Sequence, residues 1–84
     1  MKLIFSEHAW DDYLYWLKTD PKIFQRINQL IQEIQRVPFS GIGKPEPLKY
    51  TLKGYWSRRI TDEHRIVYKV KDDSVLIAQL RNNY

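Results

Sequence analysis

The chain contains no cysteine, which excludes a disulfide framework and a thiolate metal site. No apolar run approaches the roughly 18 residues that a membrane-spanning helix needs, and the first ten residues are charged too early for a secretory signal. The two histidines, His8 and His64, lie far apart, with no carboxylate at metal-ligand spacing. We therefore expect a cytoplasmic domain with no membrane partner, no metal and no other cofactor.

What the sequence does contain is a globular composition in a short chain. Its 84 residues predict a single domain over residues 1–84 with a small core. Hydrophobic residues make up 43% of the chain, which favours a folded domain over a disordered one. An isoelectric point near 9.4 indicates an anionic partner, either nucleic acid or an acidic protein.

The positive charge is concentrated in the middle of the chain. Residues 41–70 carry seven basic and three acidic side chains, which accounts for the whole formal charge of +4. Residues 1–40 carry five of each sign, and residues 71–84 carry two of each. This distribution predicts that the flanks build a scaffold and that the centre meets an anion.

The first half of the chain predicts one strand and two helices. Lys2–Phe5 is a short β-like run, and Ser6 is placed to cap a helix over Glu7–Thr19. Apolar side chains at three- and four-residue spacing predict the buried face of this helix, which comprises Trp10, Tyr13, Leu14 and Leu17, with Ala9 and Trp16 at its flanks.

The second helix has clear start and stop signals. Asp20 is its predicted N-cap, Pro21 its first residue, and Pro38 ends it. Its apolar stripe comprises Ile23, Ile27, Leu30, Ile31 and Ile34. Two amphipathic helices joined by a tight break form an antiparallel hairpin, and their apolar stripes need a sheet to cover.

The second half of the chain predicts that sheet. Residues 40–47 are a loop by composition. The predicted strands are Leu48–Leu52, Tyr55–Thr61, His64–Val70 and Ser74–Leu80. Short turns between them favour antiparallel neighbours. The predicted fold class is therefore α+β, in the order β-α-α-β-β-β-β, with the helical hairpin on a mostly antiparallel sheet.

The register of the central hairpin decides where its arginines point. A three-residue loop places Arg59 directly opposite Arg65 on one face, whereas a two-residue loop places them on opposite faces. We favour the opposed register, because Arg58 then joins Ile60 and Ile66 on the other face. His64 is expected to pack at the end of this hairpin, although its position before Arg65 also permits a substrate contact.

The basic block holds side chains that suit the cleavage of RNA. Glu46 is a candidate general base for a ribose 2′-hydroxyl, and Arg59 and Arg65 offer planar forks for phosphate oxygens. Lys49 adds a mobile point charge. The same residues also fit two other interpretations, a basic surface that binds nucleic acid without chemistry and a solvated sheet face with no such role.

Six segments along the chain resemble the YoeB-like toxins of the RelE/ParE superfamily of bacterial toxin–antitoxin systems. They are residues 2–4 (Lys-Leu-Ile), 10–13 (Trp-Asp-Asp-Tyr), 43–49 (Gly-Lys-Pro-Glu-Pro-Leu-Lys), 56–60 (Trp-Ser-Arg-Arg-Ile), 63–65 (Glu-His-Arg) and 67–68 (Val-Tyr). The resemblance implies a microbial RNase fold and a ribosome-dependent mRNA interferase that needs no metal. It also implies a homodimer and a neutralising antitoxin protein as partner.

The resemblance also implies roles for individual residues. The glutamate matched by Glu46 is the general base in this family, and the arginine matched by Arg65 stabilises the phosphate. Tyr84 falls on a further catalytic position. Lys44, Lys49 and Arg59 are assigned to substrate binding.

Asn83 also falls on a catalytic position, but it departs from the family pattern, in which a histidine regarded as the general acid precedes the terminal tyrosine. An asparagine side chain cannot deliver a proton near neutral pH. Three explanations stay open: Lys49 or Tyr84 supplies the proton, the toxin is attenuated, or Asn83 is an engineered change. The alternative function is a non-catalytic basic binding module or a ParE-like toxin with a different target.

Overall fold

The computed structural model describes residues 1–83, in which two helices cover one face of a five-stranded sheet. Its elements are β1 (Lys2–Phe5), α1 (Glu7–Thr19), α2 (Pro21–Arg36), β2 (Glu46–Pro47), a 3₁₀ helix (Tyr50–Leu52), β3 (Trp56–Arg59), β4 (Arg65–Lys71) and β5 (Ser74–Gln79). The last three strands lie close to their predicted ranges.

Side-chain caps start both helices where the sequence predicts them. The Ser6 hydroxyl accepts a hydrogen bond from the backbone N–H of Ala9 at 3.0 Å. The Asp20 carboxylate accepts from two backbone N–H groups of the first turn of α2, and Pro21 follows it as the first helical residue. Each cap satisfies backbone donors that have no partner inside the helix. The tight break at Asp20 therefore both ends α1 and starts α2.

The strand order in the sheet is β1-β5-β4-β3-β2. β1 runs parallel to β5, and the other three neighbouring pairs are antiparallel. The predicted α+β fold with a mostly antiparallel sheet is confirmed. Both α1 and α2 lie on one face of the sheet, and we call the opposite face, which neither of them covers, the open face.

The core lies between the helices and the covered face of the sheet. The predicted stripe of α2 is confirmed, because Ile27, Leu30 and Ile34 are fully buried. They pack against fully buried side chains of the sheet, among them Ile66 and Ile77. Burying each such side chain stabilises the fold by about 1.5–3 kcal/mol.

The predicted strand Leu48–Leu52 is wrong. Strand pairing occurs two residues earlier, at β2, and residues 50–52 form the 3₁₀ helix. Tyr50 has a φ of +59°, in the left-handed region, which is incompatible with an extended strand. Leu48 is nevertheless buried, and its N–H donates to the carbonyl of Tyr55 at 2.9 Å. The apolar pattern of this segment therefore reflected burial and not strand pairing.

The predicted buried face of α1 is displaced. Trp10 and Leu17 are about half exposed, at 48% and 52%, whereas Ala9, Asp12 and Trp16 are buried. The reason is a buried hydrogen bond. The Asp12 carboxylate accepts from the backbone N–H of Leu80, just after β5, and this contact turns the carboxylate inward. A pattern based on apolar residues alone cannot place a buried carboxylate on the core side.

Candidate active site on the open face

The β3–β4 hairpin places two arginines side by side on the open face. Arg59 and Arg65 are Cα partners in the antiparallel register, as favoured from the sequence. Arg58 is opposite Ile66 and is buried on the helix-covered face. Alternation along a strand sends neighbouring side chains to opposite faces. Arg58 and Arg59, which are adjacent in sequence, therefore lie on opposite faces of the sheet.

β2 adds the carboxylate to this face. Glu46 pairs with Ser57, which lies two residues before Arg59 on β3. Nη1 of Arg65 donates to Oε1 of Glu46 at 3.3 Å. The Arg65 side chain is 16% exposed and that of Glu46 is 52% exposed. A half-exposed carboxylate thus lies beside a mostly buried guanidinium, where a ligand from solvent can reach both.

Asn83 completes the described part of this cluster. Its Oδ1 accepts a hydrogen bond from Nε of Arg65 at 3.1 Å. Three of the predicted catalytic residues, Glu46, Arg65 and Asn83, are therefore brought together by one guanidinium. Tyr84, the fourth, lies outside the residues that the structure describes.

The chain after β5 is held in place by α1. The N–H of Leu80 donates to Oδ2 of Asp12 at 3.0 Å, and the Leu80 carbonyl accepts from Nε1 of Trp16 at 2.9 Å. Both contacts are buried, where an unpaired partner costs about 1–3 kcal/mol. The sequence analysis did not identify Asp12 and Trp16 as residues that hold this segment. The one signal available was a carboxylate, Asp12, in a helix whose neighbouring positions are largely apolar.

The predicted substrate-binding cations lie in two grooves. Lys49 shares with Glu46 a groove of about 430 Å³ that is formed by residues 46–52. Lys44 and Arg59 line a second groove of about 330 Å³. Arg26 of α2 also lines the second groove, and no sequence pattern links it to the basic block. The structure therefore adds one cation to those that the sequence singles out.

Gly43 allows the loop before β2 to lie close to the fold. Its φ is +83°, and a Cβ at this position would lie 2.8 Å from Cδ2 of Leu30 and 3.1 Å from Cβ of Arg58. The Gly43 carbonyl accepts a hydrogen bond from the N–H of Arg59 at 2.7 Å. This close approach extends the sheet by one short strand and so sets the position of Glu46.

Arg58 is part of the core and not of the site. Its Nε donates to the Tyr68 hydroxyl at 3.1 Å, and its two terminal nitrogens donate to the carbonyls of Ile42 at 3.0 Å and Val37 at 2.5 Å. The Tyr68 hydroxyl in turn donates to the Pro38 carbonyl at 2.7 Å. Burial raises the pKa of Tyr68, although the hydrogen bond and charge of Arg58 act in the opposite direction.

Residues 1–83 contain neither a metal-binding cluster nor a membrane-spanning helix. Within that range, no group of three or more histidine, cysteine, aspartate or glutamate side chains is arranged to hold a metal ion. No helix in the same range has the length and apolar character needed to cross a membrane.

Known proteins match this chain along its whole length. The family model for YoeB-like toxins of bacterial type II toxin–antitoxin systems matches residues 5–84. The protein named Toxin YoeB from Escherichia coli K12 is 63% identical over 84 residues, which is 100% of both chains.

Solved structures agree with the sequence matches. A YoeB/ParE toxin from Agrobacterium tumefaciens is 49% identical, with a TM-score of 0.97 over 100% of both chains. A YoeB dimer from Staphylococcus aureus is 45% identical, with a TM-score of 0.93 over 100% of this chain and 98% of that one. The YoeB–YefM toxin–antitoxin heterotetramer from the same organism has the same identity and coverage and a TM-score of 0.92.

Fold, site and matches together define the class of this protein, which is the toxin component of a bacterial type II toxin–antitoxin system. Within that class the chain belongs to the YoeB-like toxin family. The resemblance read from its sequence motifs is confirmed.

Proposed function

We propose that this toxin is an endoribonuclease that cleaves mRNA in the A site of the ribosome. The observation that carries the proposal is the contact between Glu46 and Arg65 on the open face. A carboxylate that can accept a proton lies there within one hydrogen bond of a guanidinium that can bind phosphate oxygens. Both groups can be reached from solvent, as an RNA substrate requires.

The proposed reaction is an internal transfer within the RNA. Glu46 accepts the proton of a ribose 2′-hydroxyl, and the 2′ oxygen forms a bond to the adjacent phosphorus. The bond from phosphorus to the 5′ oxygen breaks, which leaves a 2′,3′-cyclic phosphate and a 5′-hydroxyl end. Arg65 stabilises the additional negative charge of the five-coordinate phosphate. Since the guanidinium supplies this charge stabilisation, the reaction needs no metal ion.

Substrate binding is assigned to the cations of the two grooves. Lys49 lies in the groove that Glu46 lines, and Lys44 and Arg59 lie in the other. Lysine and arginine bind backbone phosphates without reading the base sequence. We therefore assign to them the positioning of the RNA strand and not the choice of codon.

Protonation of the departing 5′ oxygen is the step for which the cluster is least equipped. Asn83 occupies the matching position, but its amide holds Arg65 and has no proton to deliver. The same three explanations stay open for this step: Lys49 or Tyr84 supplies the proton, the toxin is attenuated, or Asn83 is an engineered change. A missing general acid lowers the rate by about 10²–10⁴-fold.

The partners follow from the proposed activity and from the relatives. The ribosome and its mRNA are the substrate complex, which places the toxin in the cytoplasm. The Staphylococcus aureus toxin forms a dimer and a heterotetramer with YefM. We propose that this chain likewise forms a homodimer and is neutralised by a cognate antitoxin protein.

Replacing Glu46 tests the enzyme directly. Glu46→Gln keeps the size and the hydrogen-bond acceptor but removes the base, so we expect a loss of cleavage of about 10²-fold or more. The measurement is primer extension on ribosomes that carry a defined mRNA, over a time course with purified toxin. Glu7→Gln is the matched control, because Glu7 is an exposed carboxylate in the first turn of α1, and it should cleave like the original chain.

The second candidate is a non-catalytic module, or a ParE-like toxin with another target. The observation that favours it is Asn83, an amide at the position where an acid is needed. If Glu46→Gln is as toxic to cells as the original chain and ribosomal mRNA stays intact with both, this second candidate replaces the nuclease.

A further inference from the structure

His64 contacts the backbone of the segment that carries Asn83. We call this segment, Leu80–Asn83, the post-β5 segment. The N–H of Asn82 donates to Nδ1 of His64 at 2.8 Å. The carbonyl of the same residue accepts from the backbone N–H of Arg65 at 3.1 Å. His64 and Arg65, adjacent in sequence, therefore bind both backbone polar groups of Asn82, immediately before Asn83.

The imidazole ring of His64 is fixed in its orientation. The Thr61 hydroxyl accepts from the N–H of His64 at 3.0 Å, which sets the turn before β4. The ring meets Trp16 edge to face, with centroids 4.8 Å apart. Its side chain is only 13% exposed, and Nε2 lies 3.2 Å from Oε1 of Glu63. Rotation of the ring would therefore break contacts on three sides.

These contacts assign the proton positions on the ring. Nδ1 receives a hydrogen bond from the N–H of Asn82, so it carries a lone pair and no hydrogen. Nε2 therefore carries the hydrogen, and it faces Oε1 of Glu63 at 3.2 Å. Only the neutral imidazole with its hydrogen on Nε2 satisfies both contacts. With a hydrogen on Nδ1, the N–H of the ring and the N–H of Asn82 would be two donors facing each other without an acceptor.

We infer that His64 is a positioning residue of the active site: as a neutral acceptor it holds the backbone N–H of Asn82 and thereby sets Asn83 against Arg65. Its effect on cleavage rests on the proposed function, whereas its effect on the post-β5 segment does not. The ring itself contacts neither Glu46 nor Asn83 through any recorded hydrogen bond or ion pair among residues 1–83. It acts through the backbone.

Removal of this acceptor should loosen part of the post-β5 segment and leave the fold in place. Leu80 is anchored independently by Asp12 and Trp16. Gln79 also donates to the carbonyl of Asn83 at 3.2 Å, so some order persists beyond Leu80. The Asn82 N–H has no comparable second partner among the described hydrogen bonds.

The first experiment measures the backbone and needs no RNA. We expect amide hydrogen exchange at Asn82 to accelerate by about five- to tenfold in His64→Leu, the change that one lost hydrogen bond produces. His64→Asn places an amide oxygen near the position of Nδ1, so it should restore protection to within about twofold. Gln25→Asn, which replaces an exposed side chain of α2, is the control and should exchange like the original chain.

The second experiment reads the tautomer in the unaltered chain and does not depend on the folding of any variant. Long-range proton–nitrogen spectra of labelled protein should show Nδ1 of His64 without hydrogen and Nε2 with it. A hydrogen on Nδ1 overturns the inference. So does unchanged exchange at Asn82 in His64→Leu, or a His64→Asn variant that exchanges as fast as His64→Leu.

Cleavage on ribosomes separates this inference from the proposed function. We expect the turnover rate to fall about tenfold in His64→Leu and to recover in His64→Asn, with little change in the apparent KM. If the original chain does not cleave mRNA, the proposed nuclease fails, while amide exchange and the tautomer still decide the role of His64. Cleavage that is equal in all three proteins overturns the inference and leaves the nuclease intact.

Discussion

Among single residues, Arg65 connects the most parts of the site. Its Nη1 binds Glu46, its Nε binds Asn83, and its backbone N–H binds the carbonyl of Asn82. The guanidinium can make the first two contacts at once because its donors lie in one rigid plane. A lysine here would keep the charge but lose that geometry. The arrangement of Glu46, the guanidinium and the post-β5 segment therefore depends on one side chain.

Asn83→His is the substitution that most directly tests the missing acid. An imidazole can donate a proton to the departing oxygen, so we expect cleavage to increase by about 10²–10⁴-fold if no other group already fills this role. Primer extension on programmed ribosomes measures it. Asn83→Gln is the matched control, since it keeps an amide and adds no acid. Equal rates for all three proteins would mean that protonation does not depend on position 83.

Among the elements, β3 combines structural and functional roles in neighbouring residues. Arg58→Met leaves the carbonyls of Val37 and Ile42 without their buried donor, so we expect the free energy of unfolding to fall by about 3 kcal/mol or more. That is a large share of the roughly 5–15 kcal/mol typical of a small domain. Urea denaturation followed by circular dichroism measures it.

The matched control for this loss is the next residue along the strand. Arg59→Met should change the free energy of unfolding by only about 0.5 kcal/mol, because Arg59 is exposed. It should instead weaken binding to ribosomes and flatten the dependence of binding on salt. If Arg59→Met unfolds at lower urea than Arg58→Met, the assignment of the two faces is wrong.

The elements also differ in how well sequence reasoning predicted them. The caps, the stripe of α2 and the opposed register of Arg59 and Arg65 depend on neighbours a few residues apart, so local patterns predict them. The contacts of Leu80 with Asp12 and Trp16 join residues 68 and 64 positions apart, and no local pattern reports them. β2 was missed because its pairing depends on the approach of Gly43 to α2, which is a tertiary contact.

The candidate site likewise has one part that the sequence predicts and one part that it does not. The charge of the basic block and the family motifs predicted Glu46, Arg65 and Asn83, which the structure brings together. The same evidence does not reveal Arg26, which reaches its groove from α2, or the hold of His64 on the backbone of Asn82. Backbone contacts depend on geometry and leave little trace in the identity of the residue contacted.

At the scale of the whole molecule, the buried Tyr68 makes stability depend on alkaline pH. Its pKa is raised by burial, so the unfolded chain loses the phenol proton first as the pH rises above about 10. The stabilisation is complete below that pH and is lost above it. We expect the free energy of unfolding to fall by up to about 1.4 kcal/mol per pH unit in this window.

Chemical denaturation at a series of pH values from about 9 to about 11, a range that spans the ordinary tyrosine pKa, measures this dependence. Tyr68→Phe should be less stable at neutral pH, because it loses the bonds to Arg58 and Pro38, but its alkaline decline should be shallower. Tyr50→Phe is the control, since Tyr50 is 91% exposed, and it should decline like the original chain. Parallel curves for all three proteins would contradict the assignment.

The position of β5 between β1 and β4 imposes an order in time on the making of this toxin. During translation β1 emerges first, yet it has no strand to pair with until residues 74–77 have been added. Asn83, which Arg65 binds, is synthesised later still. A chain made only as far as residue 73 therefore lacks both the β1–β5 pairing and the contact between Arg65 and Asn83. The last strand to be synthesised thus joins the first strand to the rest of the sheet.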